Sequence, residues 1–220
     1  MSAWLAWVAH VDGAHRYAVL FYTLLLTLAA APLLHALRFD ADVLRIFLVF
    51  SLLVALLGVP DHRWRLVFFL VVAVVLGLLL VPPSSVRLEI ETGTCVLISV
   101  LALVAMASAI RFALRAPQID AEHVYAALSA YLLAGLFFGV LHWTVALTWP
   151  GSLGEAGASG APATVTLSTA IYYSFVTLAT LGYGDIVPKT EVARGLAVLE
   201  AVGGQLYIAV TIARLVGARR

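Results

Sequence analysis

The residues best suited to chemistry form one short run: Thr180, Leu181, Gly182, Tyr183, Gly184 and Asp185. Glycine at alternate positions lets the backbone switch between left- and right-handed conformations at little steric cost. Successive carbonyl oxygens can then point the same way, and rings of carbonyls can replace the hydration shell of a monovalent cation. The run therefore predicts cation ligands at the carbonyls of four residues: Thr180, Leu181, Gly182 and Tyr183.

Two side chains of this run have predicted places. Tyr183 is expected to point away from the ion path and to pack against the helix before it, while Thr180 adds a hydroxyl ring at the inner end. Non-helical backbone is tolerated at membrane depth only where it is buried or lines water. The apolar segment from Thr166 to Thr180 is too short to span a bilayer, so it predicts a helix that leads into a re-entrant loop.

The composition places the chain in a membrane. Of its 220 residues, 63% are hydrophobic and 11% are charged, and the mean hydropathy is +1.05, far from the values of water-soluble domains. The single cysteine, Cys95, excludes an intrachain disulfide. A net charge of +1 gives no indication of a nucleic-acid partner.

Six apolar segments approach the roughly 20 residues that a spanning helix needs: 17–37, 43–59, 66–81, 94–114, 121–147 and 191–216. They predict an all-α membrane protein with six transmembrane helices plus a re-entrant pore helix. The predicted parts are an N-terminal interfacial segment (1–16), a four-helix transmembrane bundle (17–116) and a pore domain (117–220). A frayed end is the open alternative for residues 1–16. The stretch 151–163, rich in glycine and small residues, predicts a flexible loop.

Charged residues test the topology through the positive-inside rule. With both termini in the cytoplasm of a cell membrane, eight arginines fall inside, while four arginines and Lys189 fall outside. Seven of the twelve acids also fall outside. These counts favour a multi-pass chain with cytoplasmic termini, and the twelve-to-one excess of arginine over lysine suggests a bacterial source.

The sequence resembles the potassium channel superfamily, whose pore signature T-x-x-T-x-G-Y-G-D is matched by Thr177, Thr180, Gly182, Tyr183, Gly184 and Asp185. The resemblance implies that this run is the selectivity filter of a homotetrameric cation channel, with K+ held at residues 180–183. It also implies passive K+ conduction, no enzymatic activity, no cofactor beyond the permeant ion, and membrane lipids as further partners. Leu181 stands where the family usually has Val or Ile, which changes little because its carbonyl is the ligand.

Two residues of the predicted pore helix stand where family members hold the filter aspartate. Val176 stands where some family members carry a glutamate that holds the filter aspartate, so Asp185 must find another partner. Tyr172, where family members often have a tryptophan, is predicted to donate its hydroxyl to Asp185.

The last helix carries residues expected to control the pore. The resemblance implies a gating hinge at Gly203 and Gly204, and close packing behind the filter is the alternative. A second set repeats every four residues and so shares one face: Ile208, Ile212 and Val216. This face is predicted to line the inner pore, with a lipid-facing stripe as the alternative.

Polar residues inside spanning helices need a reason, because a charge at the bilayer centre costs at least roughly 2.5 to 3.5 kcal/mol on insertion scales. Glu200 is therefore predicted to face protein or water behind the pore helix, in a network that Gln205 joins. A role as a proton sensor stays open. His142, near the outer end of its helix, is predicted to be interfacial.

The helix at 94–114 lacks the charges of a voltage sensor, because Thr94 to Ile110 contains none and its arginines fall at the inner end. The first four helices are therefore expected to form a scaffold. Two alternatives to a K+ channel stay open: a non-conducting or regulatory channel subunit, and a weakly selective cation channel. An intramembrane serine protease is excluded, since no histidine follows His142 to activate Ser159.

Overall fold

The computed structural model describes residues 15–36, 50–55, 69–75, 77, 87–115, 119–157 and 165–217. The elements with described bounds are α1 (Arg16–Ala36), α2 (Arg87–Arg115), α3 (Ala121–Thr148), β1 (Leu153–Glu155), α4 (Leu167–Leu178), β2 (Ile186–Pro188) and α5 (Glu191–Gly217). Residues 50–55 and 69–75 are also helical. Residues 1–14 of the predicted interfacial segment, most of the second predicted helix and half of the third lie outside the described residues.

Three helices in the described part of the chain are long and apolar enough to cross a membrane: Glu91–Arg115, Ala121–Thr148 and Glu191–Arg214. A membrane protein is thereby supported, and the full count of six spans stays a prediction. The fourth predicted helix begins at Arg87 rather than at residue 94. That boundary was wrong because hydropathy marks the apolar span, whereas a helix can continue into charged turns at the bilayer surface.

Helix α3 lies at the centre of the molecule and begins at a capping box. The Asp120 side chain accepts a hydrogen bond from the His123 backbone, and the His123 side chain faces the Asp120 backbone in return. In the same first turn, Glu122 accepts a 2.9 Å hydrogen bond from the backbone N–H of Tyr17 at the start of α1. A carboxylate at a helix N-terminus satisfies donors that have no partner within the helix. These contacts fix α1 against the base of α3.

The hydrophobic core lies where α1 and α2 pack against α3. Leu24 of α1, Ala109 of α2 and Leu133 of α3 are all fully buried in it. A polar pair, Thr27 and Ser51, lies within this apolar region with its hydroxyl oxygens 2.6 Å apart. The scaffold helices therefore hold one side of α3, which leaves its other side for α4 and α5.

A short antiparallel sheet joins the two loops that flank α4. Strand β1 pairs with β2 so that Leu153 lies opposite Pro188 and Glu155 lies opposite Ile186. The expectation of a flexible loop over 151–163 is therefore wrong for its first part. A three-residue strand is stabilised by its partner rather than by its own composition, so the glycine-rich sequence did not reveal it. The sheet ties the segment after α3 to the segment after the filter.

Candidate pore and filter

Helix α4 is a short buried helix with defined ends. Its N-cap is Thr166, whose hydroxyl accepts a hydrogen bond from the Thr169 backbone. The helix ends at Leu178, two residues before the predicted end at Thr180, and Ala179 caps it. With twelve residues it cannot span a bilayer, which matches the predicted re-entrant pore helix.

The backbone of the filter run alternates in handedness. Thr180, Gly182 and Gly184 have φ values of 57°, 56° and 77°, whereas Leu181 and Tyr183 are not left-handed. The two glycines were predicted to take this conformation. Thr180 was not, because a β-branched residue rarely adopts positive φ. Its strain is of the kind found where function requires an unusual backbone.

The C-terminal end of α4 anchors this strand. The backbone N–H groups of Leu181 and Gly182 both donate to the carbonyl of Val176, at 2.9 and 3.3 Å. The backbone N–H of Thr180 donates to the carbonyl of Thr177 at 3.0 Å. Val176 therefore supports the filter with its backbone, although its side chain cannot bind Asp185.

Filter side chains are largely uncovered within one chain. Leu181 is 55% exposed and Tyr183 is 67% exposed. Tyr183 thus does not pack closely against its own α4, contrary to the expectation for a single subunit. The reason is geometric: residues 179–185 are all exposed, so no described element of the chain covers the strand.

The Asp185 carboxylate has two partners at the end of the filter. The Tyr172 hydroxyl donates to Oδ2 at 2.8 Å, which is the contact predicted from the sequence. The backbone N–H of Ile186 donates to Oδ1 at 3.0 Å. The aspartate is therefore held at one oxygen by α4 and at the other by the start of β2.

Two glycines of α3 allow α4 to pack closely against it. A Cβ placed on Gly135 would lie 2.5 Å from the ring of Phe175, and one on Gly139 would lie 2.9 Å from the Cα of Ile171. Small residues four apart let helices approach closely in membranes. The sequence analysis did not use this pair, although the spacing G-x-x-x-G was visible in it.

Gly204 likewise allows α5 to pack closely against the end of α4. A Cβ at this position would lie 2.6 Å from Leu178 Cδ1 and 3.1 Å from the Leu178 carbonyl oxygen. The same carbonyl accepts a 3.3 Å hydrogen bond from Tyr131 of α3. Gly203 has open space around it. Close packing thus accounts for Gly204, while a hinge at either glycine stays a prediction for a helix that is continuous over Glu191–Gly217.

The predicted pore-lining face of α5 is described in part. Ile208 is half-buried and Ile212 is exposed, and the side chain of Val216 lies outside the described residues. Apolar side chains are exposed along much of this helix, including Val198, Leu206 and Val210. The helix therefore offers an apolar surface that the described part of the chain leaves uncovered.

Glu200 is fully buried and reaches both neighbouring helices. One carboxyl oxygen, Oε2, lies 2.9 Å from His142 Nε2 of α3, and the other is hydrogen-bonded to the Ser174 hydroxyl of α4. Glu200 does face protein behind the pore helix. Two related expectations were wrong: His142 is fully buried rather than interfacial, and the Gln205 side chain is exposed and does not join the network. Hydropathy locates a residue along a helix but not around it.

A short re-entrant helix and a carbonyl strand, held between two membrane-spanning helices, define the pore module of a membrane channel. The comparison with protein families agrees, since residues 126–218 match the family model described as an ion channel. The match covers the pore module and supports an ion channel subunit of the potassium channel superfamily. Neither the curated proteins nor the solved structures gave a match.

Proposed function

We propose that the chain is a K+-selective channel subunit that conducts K+ passively through the centre of a homotetramer in a cell membrane. The observation that carries this proposal is the left-handed backbone at Thr180, Gly182 and Gly184. With residues of negative φ between them, this backbone lets successive carbonyls point toward one line. Four such strands would supply the rings of carbonyl oxygens that replace the hydration shell of K+.

The uncovered surfaces support a tetramer. The filter side chains and the apolar face of α5 are exposed in one chain, and both would lie near the axis if four copies assembled around the filter. A single strand cannot surround an ion, so the assembly is part of the proposed activity. The Tyr183 ring would then pack against a neighbouring subunit as the filter spacer.

The scaffold helix α2 supports a channel that is not steeply voltage-gated. Its apolar part carries no charge from Thr94 to Ile110, and the two arginines that follow, Arg111 and Arg115, are exposed at the end of the helix. Moving one charge through the membrane is worth about 2.3 kcal/mol per 100 mV. Because α2 carries no charges inside the membrane, a change of the transmembrane potential exerts little force on it.

Flux from liposomes tests the proposal. The purified chain, reconstituted in vesicles, should release K+ while retaining Na+, and Gly184→Ala should abolish the K+ flux because alanine is strained at a φ of +77°. Gly93→Ala is the matched control, since a Cβ there meets nothing within 4 Å. Chemical crosslinking should trap four chains. Absent K+ flux would favour a regulatory subunit, and equal K+ and Na+ flux would favour a weakly selective channel.

A further inference from the structure

One buried polar cluster joins the three helices of the pore module. His142 comes from α3, Ser174 from α4 and Glu200 from α5, and each of the three is fully buried. Ser174 and Glu200 are hydrogen-bonded to each other, and Glu200 Oε2 lies 2.9 Å from His142 Nε2. A buried polar cluster stabilises a fold only if every hydrogen-bonding group is satisfied. Its protons can therefore be counted.

The count begins at Ser174, whose hydroxyl oxygen has two neighbours. It lies 2.7 Å from the backbone carbonyl of Gly135 and is also bonded to Glu200 Oε1. A carbonyl can only accept, and a hydroxyl has one hydrogen to donate. If that hydrogen goes to Gly135, the bond to Glu200 must receive its hydrogen from the glutamic acid. An ionised carboxylate would instead compete with Gly135 for the same hydrogen.

His142 gives the second part of the count. Its Nδ1 atom is buried and has no hydrogen-bond partner among the described residues. A charged imidazolium would leave an N–H unpaired there, which is costly in a buried site. A neutral ring with its hydrogen on Nε2 avoids this cost and can donate to Glu200 Oε2. Every hydrogen of the cluster is then donated without any charge, and among the described residues only the acceptor Nδ1 lacks a partner.

The surroundings of Glu200 agree with a neutral acid. The titratable groups that face the cluster are Tyr131 and His142 of α3 and Tyr173 of α4, whose ring meets the His142 ring edge to face at 4.8 Å. In the described part of the chain, no lysine or arginine forms an ion pair with Glu200. A buried carboxylate without a cation would be poorly stabilised.

We propose that Glu200 is a protonated, uncharged acid that donates to Ser174 and accepts from His142. Its role is that of a positioning residue: it fixes α4, and through α4 the filter, between the two spanning helices. The protonation state is independent of ion selectivity, while the consequence for the filter rests on the proposed channel function.

Infrared spectroscopy of the purified, reconstituted chain tests the protonation state directly. At neutral pH the protein should show the C=O stretch of a protonated carboxyl group, shifted by isotope-labelled glutamate and absent in Glu200→Gln. The exposed Glu191→Gln should leave the band unchanged. Absence of the band in the labelled wild-type chain overturns the proposal, even if Glu200→Gln fails to fold or no variant conducts.

Flux then tests the positioning role. The glutamine amide also offers an N–H to donate to Ser174 and a carbonyl oxygen to accept from His142, so Glu200→Gln should keep K+ flux within about two-fold of wild type, whereas Glu200→Ala should lose ten-fold or more. Equal loss in both variants would show that the charge of Glu200 is required and would overturn the proposal. If wild type itself carries no flux, the proposed function fails while the infrared result still decides the protonation state.

Discussion

Tyr172 donates its hydroxyl hydrogen to the Asp185 carboxylate at 2.8 Å, which joins the pore helix to the residue that ends the filter. The bond spans thirteen residues of sequence and encloses the whole strand between its ends. Asp185 has its other oxygen on the Ile186 backbone. Loss of the tyrosine bond would therefore free only one side of the carboxylate.

Tyr172→Phe should make the filter less stable without changing the fold. We expect faster loss of K+ current during sustained conduction, because the hydrogen bond that holds one oxygen of the Asp185 carboxylate is removed. Tyr22→Phe, which removes an exposed hydroxyl far from the filter, is the control. Unchanged inactivation and ion occupancy in Tyr172→Phe would show that the bond does not support the filter.

Gly203 and Gly204 offer a comparison of neighbouring positions. Gly204→Ala should lower the thermal stability of the reconstituted channel, because its Cβ would press on Leu178 and overpacking costs about 1 to 3 kcal/mol. Gly203→Ala has open space and should gain up to about 1 kcal/mol of helix propensity. Equal thermal stability of the two variants would contradict the packing role of Gly204. A selective fall of open probability in Gly203→Ala would instead support the predicted hinge.

The close packing of the pore helix α4 against α3 can be tested with a compensating substitution. Gly135→Ala should destabilise the channel because its Cβ would lie against the Phe175 ring, by about 1 to 3 kcal/mol. Adding Phe175→Leu should recover part of that loss by removing the ring. Denaturation of detergent-solubilised protein measures both. If the double variant recovers no stability, contact with the Phe175 ring is not the reason why alanine at position 135 destabilises the channel.

Acid should weaken the cap of α3. Hydrogen bonds from the backbone and then the side chain of His123 lower the pKa of the Asp120 carboxyl below its ordinary value of 3.8. A lowered pKa in the folded state means that the stabilisation is present above the ordinary value and is lost as pH falls through the lower one. Asp120 is exposed, so we expect less than about 1 kcal/mol.

Asp120→Asn is the matched variant for this effect, because asparagine also caps helices well but does not titrate. The stability difference between wild type and Asp120→Asn should shrink as pH falls from about 6 to about 3. A difference that stays constant over this interval would show that the carboxylate charge does not contribute.

Features that depend on a local sequence motif could be predicted from the sequence. Contacts between residues far apart in the sequence could not. Thr180 to Asp185 could be recognised because a carbonyl strand needs glycine at fixed positions. The Tyr172 bond followed from the family resemblance, because Tyr172 stands where family members often have a tryptophan. The partnership of His142 and Glu200 could not be predicted, since 58 residues separate them and their rotation about each helix axis is set by packing.

Two smaller misses have similar causes. Gly135 and Gly139 carried a readable spacing, but close approach becomes evident only once Ile171 and Phe175 lie against them. The left-handed Thr180 contradicts the conformational preference of its residue type, so no propensity could have indicated it. The surrounding helix end and filter impose that conformation.

The reversal potential of the reconstituted wild-type channel, with K+ on one side of the bilayer and Na+ on the other, tests the central claim most directly. A filter built from the carbonyls of Thr180 to Tyr183 predicts currents carried almost wholly by K+. The reversal potential should then lie far from zero on the side that a K+ pathway requires. A reversal potential near zero, or no current at all, would contradict the account.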